Sequence, residues 1–130
     1  MTTTKKLSDL AKRCKLDVTY GAAMPWEKQD QWQQNANGYR CVLRYKRRRY
    51  SFDYWQGTGI TRDPDAAGVL ECLLSDSSVS DDFEDFCAEF GYDTDSRKAE
   101  TTHKACLKTR ENMQRLLGDD FEAFLYAERD

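Results

Sequence analysis

The clearest hydrophobic pattern along the chain is an alternation of apolar and polar positions in two neighbouring stretches. Such alternation is typical of half-buried strands. Four basic residues, Lys46 to Arg49, separate the stretches and predict an antiparallel hairpin with a basic tip. Because this run lacks the Asn-Gly or Asp-Gly pair of a favoured two-residue turn, we expect a longer or looser tip. The apolar positions are Tyr39, Cys41, Leu43 and Tyr45 in the first stretch and Tyr50, Phe52 and Tyr54 in the second.

Before the hairpin, the chain predicts one helix, one strand and a long connection. Residues 3–13 carry apolar positions at helical spacing, and residues 16–20 alternate like a half-buried strand. Residues 22–38 are polar, and a connection of this length in a small domain is either mobile or functional. It contains Trp26 and Trp32, which would be interface anchors if they were exposed. The favoured alternative is that both fold back over the sheet edge.

After the hairpin, the apolar spacing changes to that of amphipathic helices in four successive segments. Residues that cap helix N-termini and glycines that end helices separate these segments. The predicted boundaries are Asp63 before Pro64 for the first helix, Ser80 and Gly91 for the second, Thr94 or Asp95 and Gly118 for the third, and Asp119 for the start of the last. The order predicts an α+β fold, with an N-terminal helix, a small antiparallel sheet bearing a basic hairpin, and about four helices.

The charges are sorted by position along the 130 residues. Residues 1–62 hold 13 Lys or Arg and 5 Asp or Glu, a net charge of +8, whereas residues 63–96 hold 11 acidic residues and no Lys or Arg. Residues 97–130 hold seven of each sign. We predict a single domain over residues 1–130, because a chain of this length most simply forms one core. The helical part, residues 63–130, follows the basic part, and such segregation of charge is typical of binding surfaces.

Composition argues against several classes of protein. No apolar run approaches the roughly 20 residues that span a bilayer, and no apolar core of an export signal follows the polar N-terminus. The five cysteines are odd in number, widely spaced and accompanied by one histidine. This pattern indicates reduced, buried cysteines rather than disulfides or a zinc site. We therefore predict a cytoplasmic protein with no metal, no other cofactor and no membrane contact.

No constellation of residues identifies an enzyme. His103 and Cys106 would share a helix face, but a nucleophile also needs a third group to orient its base. An exposed histidine beside a buried cysteine is the favoured interpretation. Carboxylate pairs such as Asp81 and Asp85 arise by chance in so acidic a segment, and the glycines beside Thr58 lack the ending of a phosphate-binding loop. We predict a non-enzymatic protein with no catalytic residues.

One stretch of the second half reads Phe90-Gly91-Tyr92-Asp93-Thr94-Asp95-Ser96-Arg97-Lys98-Ala99-Glu100. A leucine-rich segment, residues 69–76, and an acidic segment rich in phenylalanine, residues 82–87, precede it. Over about residues 64–118 the chain resembles a widespread family of small phage and prophage proteins of unassigned function, and residues 39–57 match that family loosely. The resemblance implies a mobile-element accessory protein. Small phage proteins of this kind include inhibitors of bacterial defence systems, among them anti-CRISPR proteins.

The basic hairpin is the first of two candidate binding sites. Guanidinium groups can grip phosphates or carboxylates, and interleaved aromatic rings can stack on unpaired bases. The alternative is that the tyrosines belong to the core and the charges keep an exposed hairpin from aggregating. The candidate residues are Arg44, Lys46, Arg47, Arg48, Arg49 and Trp55.

The second candidate site is acidic and is spread over residues 76–95. A spread of carboxylates can imitate the phosphates of a nucleic acid and occupy a basic channel on another protein. The alternatives are a solvated helix face and partial neutralisation by the basic hairpin of the same molecule. The candidate residues are Asp76, Asp81, Asp82, Glu84, Asp85, Glu89, Asp93 and Asp95.

These two sites lead to three hypotheses. The first is a mobile-element-encoded, non-enzymatic inhibitor or adaptor that binds a bacterial host protein, such as a CRISPR–Cas effector or another nucleic-acid-handling effector. The second is a small DNA- or RNA-binding module that uses the basic aromatic hairpin. The third is a homo-oligomer in which the hairpin of one copy meets the acidic helices of the next. Whether the two charged sites touch in the fold decides how far each is free to bind.

Overall fold

The computed structural model describes residues 5–20, 30, 37–56 and 64–129. In these ranges the chain forms a three-stranded sheet and five α-helices, so the predicted α+β fold class is confirmed. The elements in chain order are α1 (Leu7–Ala11), β1 (Cys14–Tyr20), β2 (Asn37–Tyr45), β3 (Arg48–Gln56), α2 (Ala66–Ser77), α3 (Phe83–Phe90), α4 (Arg97–Leu117), a 3₁₀ turn (Gly118–Asp120) and α5 (Phe121–Leu125).

The sheet is antiparallel, in the order β1-β2-β3, and one of its faces is apolar. This face follows from the alternation in the sequence, since successive side chains of a strand point to opposite sides. The interleaved tyrosines therefore belong to the core face of the sheet. The core residues are Tyr39, Cys41, Leu43 and Tyr45 on β2, and the half-buried ones on β3 are Tyr50, Phe52 and Tyr54.

The helices bury their apolar stripes in two clusters. The larger cluster joins the sheet to α1, α2, α5 and the C-terminal part of α4, and in it the rings of Tyr45 and Phe124 meet edge to face at 5.3 Å. The smaller cluster lies between α3 and the N-terminal half of α4, where Phe86 and Cys87 pack near Ala99. Because α4 takes part in both clusters along its length of about 30 Å, it links the sheet to α3.

The hairpin tip differs from the sequence prediction. Tyr45 pairs with Arg48, so the loop contains only Lys46 and Arg47, and Arg49 also belongs to β3. The expected longer or looser tip is therefore wrong. Lys46 has a φ of 55°, and a positive φ at the first position of a two-residue hairpin loop is usually supplied by glycine. The tight loop prevails because pairing continues the alternation of buried side chains up to Tyr45.

The helix ends were predicted better than the helix starts. Gly91, with a φ of 74°, ends α3, and Gly118 ends α4, as expected. The predicted caps Ser80 and Thr94 or Asp95 are wrong by one or two residues. The predicted helix start at Asp63 and Pro64 is also wrong, because Asp65 is the cap and Pro64 precedes the helix, and Asp63 itself lies outside the described residues. Several capping residues follow one another at each start, and the one that reaches a free backbone N–H becomes the cap. The observed caps are Asp65, Asp82 and Ser96, which accept from the backbone N–H of Gly68, Asp85 and Ala99.

Other boundaries also shift. Helix α1 is shorter than the predicted 3–13, β1 begins earlier than residue 16, and α5 begins at Phe121 rather than Asp119 because the 3₁₀ turn intervenes. The segment around Trp26 and Trp32, and the glycines near Thr58, lie outside the described residues.

The cysteines are all free thiols, and their burial differs. Cys41, Cys87 and Cys106 are buried, as expected of small hydrophobic residues, and Cys14 is half-buried. Cys72 is exposed, so the expectation of buried cysteines is wrong for this one. Within the described ranges, no helix has the length and apolar character needed to cross a membrane.

Candidate binding surfaces

The hairpin tip forms a pocket, and every described residue that lines it is basic. The pocket has a volume of about 220 Å³ and brings together five of the six hairpin residues predicted as a site. The tight loop creates it, because pairing of β2 with β3 places the neighbouring residues of both strands side by side. The lining residues are Arg44, Lys46, Arg47, Arg48 and Arg49. We call this feature the tip pocket.

The cations of the tip pocket fall into two groups. Arg44 is held by the neighbouring strand, since its Nε donates to Oδ2 of Asp17 at 2.9 Å. The side chains of Arg47 and Arg49, in contrast, make no hydrogen bond or ion pair with the part of the chain that the structure describes. These two guanidinium groups are therefore available to a ligand.

The other two cations join the tip to the end of α4. Lys46 Nζ lies 3.1 Å from Oδ2 of Asp120, and Arg48 Nε donates at 2.7 Å to the carbonyl of Leu116, near the helix end. The Tyr45 hydroxyl donates to the same Asp120 oxygen at 2.6 Å. The hydrogen bond from Tyr45, followed by the one from Lys46, lowers the pKa of Asp120. Burial, followed by the hydrogen bond to Asp120, raises the pKa of Tyr45. The tip is thus anchored to the helical layer.

Trp55, the sixth candidate, does not belong to the tip pocket. It pairs with Gly38 at the other end of the hairpin, about 20 Å along the strand from Arg49. Its ring lies across Gly38, where an added Cβ would come within 2.6 Å of a ring carbon. Since the tyrosines face the core, the described lining of the tip pocket offers guanidinium and ammonium groups without an aromatic ring.

The eight acidic candidates lie on α2, on α3 and in the turns beside α3. Asp81 forms an ion pair with Arg110 of α4, and Asp82 caps α3. The other six side chains make no hydrogen bond or ion pair within the described ranges. These six, which we call the acidic surface, are Asp76, Glu84, Asp85, Glu89, Asp93 and Asp95.

An apolar pocket adjoins these carboxylates, with a volume of about 330 Å³. The rings of Phe86, Phe90 and Tyr92 line it on one side and Cys106 lines it from α4. Phe90 is 52% exposed, a large fraction for an aromatic side chain. Asp76 is the one charged residue among the described residues that line this pocket, and burial raises its pKa. We call this feature the aromatic pocket.

Helix α3, which carries several of the acidic candidates, and the hairpin tip lie toward opposite ends of α4. Helix α3 packs near the N-terminal half of α4, where the rings of Phe83 and Phe86 lie 5.6 and 4.7 Å from that of His103. The hairpin tip contacts Leu116, about 20 Å further along the same helix. Among the described residues, no ion pair joins the tip to residues 76–95. Neither charged surface therefore neutralises the other through direct ion pairs.

His103 is buried, so the expectation of an exposed histidine is wrong. Its Nε2 donates at 2.8 Å to the carbonyl of Ser80, and its ring packs beside Phe86. Burial, followed by the nearby Asp76 carboxylate, raises the pKa of Cys106 and disfavours its thiolate. Within the described ranges, no three His, Cys, Asp or Glu side chains are grouped as metal ligands would be.

Arg110 is a charged residue whose role the sequence does not reveal. From α4 its guanidinium donates to the carbonyl of Ser77 at 2.9 Å, to the carbonyl of Val79 and to the carboxylate of Asp81. It therefore holds the connection between α2 and α3. A basic residue on an amphipathic helix looks like a solvated one in the sequence, so no local signal distinguishes it.

Comparison with protein-family models, curated proteins and solved structures finds no match to this chain. The resemblance to small phage proteins therefore stays a prediction, and the function is argued from the two surfaces.

Proposed function

We propose that this chain is a non-enzymatic inhibitor or adaptor that binds a basic surface of another protein. The binding surface consists of α3, the turn after it and the aromatic pocket. One observation carries the proposal: six carboxylates without a partner in the described ranges accompany an apolar pocket that an exposed aromatic ring lines.

The aromatic and the acidic residues of this surface would contribute to binding in different ways. Aromatic side chains at the centre of an interface supply most of its affinity, so Phe90 and the aromatic pocket would anchor the partner. Surrounding charges speed association and select partners of opposite charge. A cation from the partner that approached Asp76 would also stabilise the charged form of that carboxylate, which burial disfavours.

The resemblance to small phage proteins suggests the partner. Proteins that handle nucleic acids expose basic channels, and carboxylates spaced along a helix can occupy such a channel in place of phosphates. We therefore propose a bacterial host protein as the partner, with CRISPR–Cas effectors as the first class to examine.

The hypothesis of a DNA- or RNA-binding module is the less favoured one. It needs aromatic rings beside the basic residues to stack on bases. The hairpin tyrosines face the core, and Trp55 lies at the end of the hairpin remote from the tip. Of this hypothesis, only the binding of phosphate groups by the cations of the tip pocket retains support.

A capture experiment from bacterial lysate tests the proposed function. The intact chain should retain a nucleic-acid-handling protein, and adding the chain should displace nucleic acid from that protein after purification. Glu84→Lys/Glu89→Lys should abolish capture, since it reverses two charges on α3. Phe90→Ala should weaken capture at least about ten-fold, as loss of an anchor does.

Matched variants control for bulk charge and for lost aromatic area. Glu71→Lys/Glu111→Lys makes the same change in net charge at exposed helical positions that lie outside α3 and outside the lining of the aromatic pocket. Tyr126→Ala removes a ring that is 72% exposed and lines a different pocket. Both should capture the partner like the unmodified chain. The proposal is wrong if the folded, unmodified chain captures no protein, or if every protein that it captures is also captured by Glu84→Lys/Glu89→Lys.

A further inference from the structure

We infer that the tip pocket binds a compact polyanion, namely the diphosphate or triphosphate group of a small molecule. The inference is independent of the proposed function, because it concerns the other end of α4. Five cations line the tip pocket, and only Arg44 and Lys46 among them have a carboxylate partner in the part of the chain that the structure describes. Three positive charges therefore remain for a ligand, and four of the five groups are guanidinium groups, which bind phosphate oxygens through paired hydrogen bonds.

The size of the tip pocket favours an anionic group over a whole ligand. Its 220 Å³ is below the range of about 300–1,000 Å³ that encloses drug-sized molecules. A diphosphate or triphosphate would fit inside while the rest of its molecule stayed outside.

The tip pocket is also preorganised. Asp17 holds Arg44, Asp120 holds Lys46 and the end of α4 holds Arg48. Holding side chains in place before the ligand arrives reduces the entropy lost on binding. Arg47 and Arg49 then close on the ligand.

Electrostatic repulsion within the sheet points the same way. Strand pairing places Lys15, Arg44 and Arg49 directly opposite one another in a single row across the three strands. Like charges in directly opposed positions destabilise a sheet. The ion pair of Arg44 with Asp17 offsets part of this repulsion, and a bound polyanion would relieve the rest.

The neighbouring residues limit the ligand to a compact one. On the same face of the sheet, the row next to these cations carries Asp17, which pairs with Arg44, and the row after it places Asp53 opposite Arg40. A nucleic-acid strand running along that face would cross a row without a cation and then a row in which a carboxylate lies opposite the cation. The basic charge is therefore densest at the tip, which suits a terminal phosphate group better than an extended strand.

Titration calorimetry at constant ionic strength tests the inference with tripolyphosphate, pyrophosphate and inorganic phosphate. We expect one site per chain, with affinity increasing in the order phosphate, pyrophosphate, tripolyphosphate. Arg47→Ala/Arg49→Ala should weaken tripolyphosphate binding at least about ten-fold, because it removes charged hydrogen bonds. The same variant should unfold at an equal or higher temperature, since neither side chain is bound within the described fold and repulsion is relieved. That result would separate a lost site from a lost fold.

Two further arms decide against competing explanations. Lys98→Ala/Lys108→Ala removes the same charge from exposed positions of α4, and an equal loss of binding there would show non-specific attraction and overturn the inference. A single-stranded 20-nucleotide DNA (about twenty phosphates, with the salt dependence of phosphate chains) is the other probe. If it binds more tightly than tripolyphosphate, the tip is a nucleic-acid surface and the inference is wrong. Absence of binding heat with millimolar tripolyphosphate would also overturn it.

Discussion

Lys46 has a backbone conformation that its side chain disfavours. Among the described residues it is the only non-glycine with a positive φ, and it occupies the first position of a two-residue hairpin loop. Glycine adopts this conformation without the steric cost that a Cβ brings. The ammonium group of Lys46 pairs with Asp120 and lines the tip pocket. The charge of Lys46, rather than its fit to the turn, accounts for a lysine here.

Replacing Lys46 by glycine and by alanine should separate backbone strain from charge. Both variants lose the ion pair with Asp120, but only Lys46→Ala keeps a Cβ at a φ of 55°. We expect Lys46→Gly to be more stable than Lys46→Ala by about 1 kcal/mol in urea unfolding. At Arg47, whose φ is not positive, alanine should be at least as stable as glycine. A glycine variant that is no more stable than alanine at position 46 would contradict this account of the turn.

The tip also shows what the sequence leaves undetermined. Alternation predicted which side chains of the hairpin share a face, because a strand has a simple local period, but it left open whether the tyrosines on that face pack in the core. It could not choose the turn within four consecutive cations, since no residue type there differs from its neighbours. The contact of Arg48 with Leu116 joins residues far apart in the chain and leaves no local pattern.

The connection between α2 and α3 depends on side chains supplied by α4. Arg110 donates to two of its carbonyls and to Asp81, and His103 donates to the carbonyl of Ser80. Backbone carbonyls outside regular structure need such partners when they are shielded from water. These contacts hold α3, and with it the acidic surface, beside α4.

Substituting lysine for Arg110 tests this arrangement. A lysine has one ammonium group in place of a planar fork, so it cannot reproduce three contacts in different directions. We expect Arg110→Lys to lower the free energy of unfolding by about 2 kcal/mol, because a lost partner leaves carbonyls unsatisfied. Arg115→Lys is the control on the same helix, since Arg115 is exposed and, among the described residues, hydrogen-bonds only to Asn112. It should stay within about 0.5 kcal/mol. Equal effects of the two substitutions would argue against a holding role for Arg110.

The helices themselves follow largely from local sequence. Gly91 and Gly118 end their helices where predicted, because a glycine conformation is a property of its own position. The starts were misplaced because Ser, Thr and Asp crowd each boundary and any of them can cap a helix. The carboxylates of residues 76–95 can be named from the sequence, but not that Asp81 pairs with Arg110. The aromatic pocket beside them depends on how α3 meets α4, which periodicity does not specify.

In the whole molecule, the charge partition of the sequence becomes two separated surfaces. The net charge of −3 suggests weak mutual repulsion between copies. The distribution of charge suggests attraction between copies instead. The tip pocket and α3 lie toward opposite ends of α4, and no ion pair joins the tip to the acidic surface within the described ranges. One copy can thus present its basic tip to the acidic surface of the next. Such a head-to-tail contact is heterologous and does not close into a two-fold dimer.

Light scattering at different salt concentrations distinguishes repulsion between copies from head-to-tail attraction, because the two change the second virial coefficient in opposite directions. Lowering the salt from about 100 mM to about 10 mM lengthens the screening distance from about 10 Å to about 30 Å. Repulsion from net charge would then raise the second virial coefficient, whereas attraction between the tip and the acidic surface should lower it, and we expect it to fall. Arg47→Ala/Arg49→Ala should remove most of the fall, while Lys98→Ala/Lys108→Ala, with the same net charge, should keep it. A coefficient that rises at low salt in the unmodified chain would mean that net charge outweighs the partition.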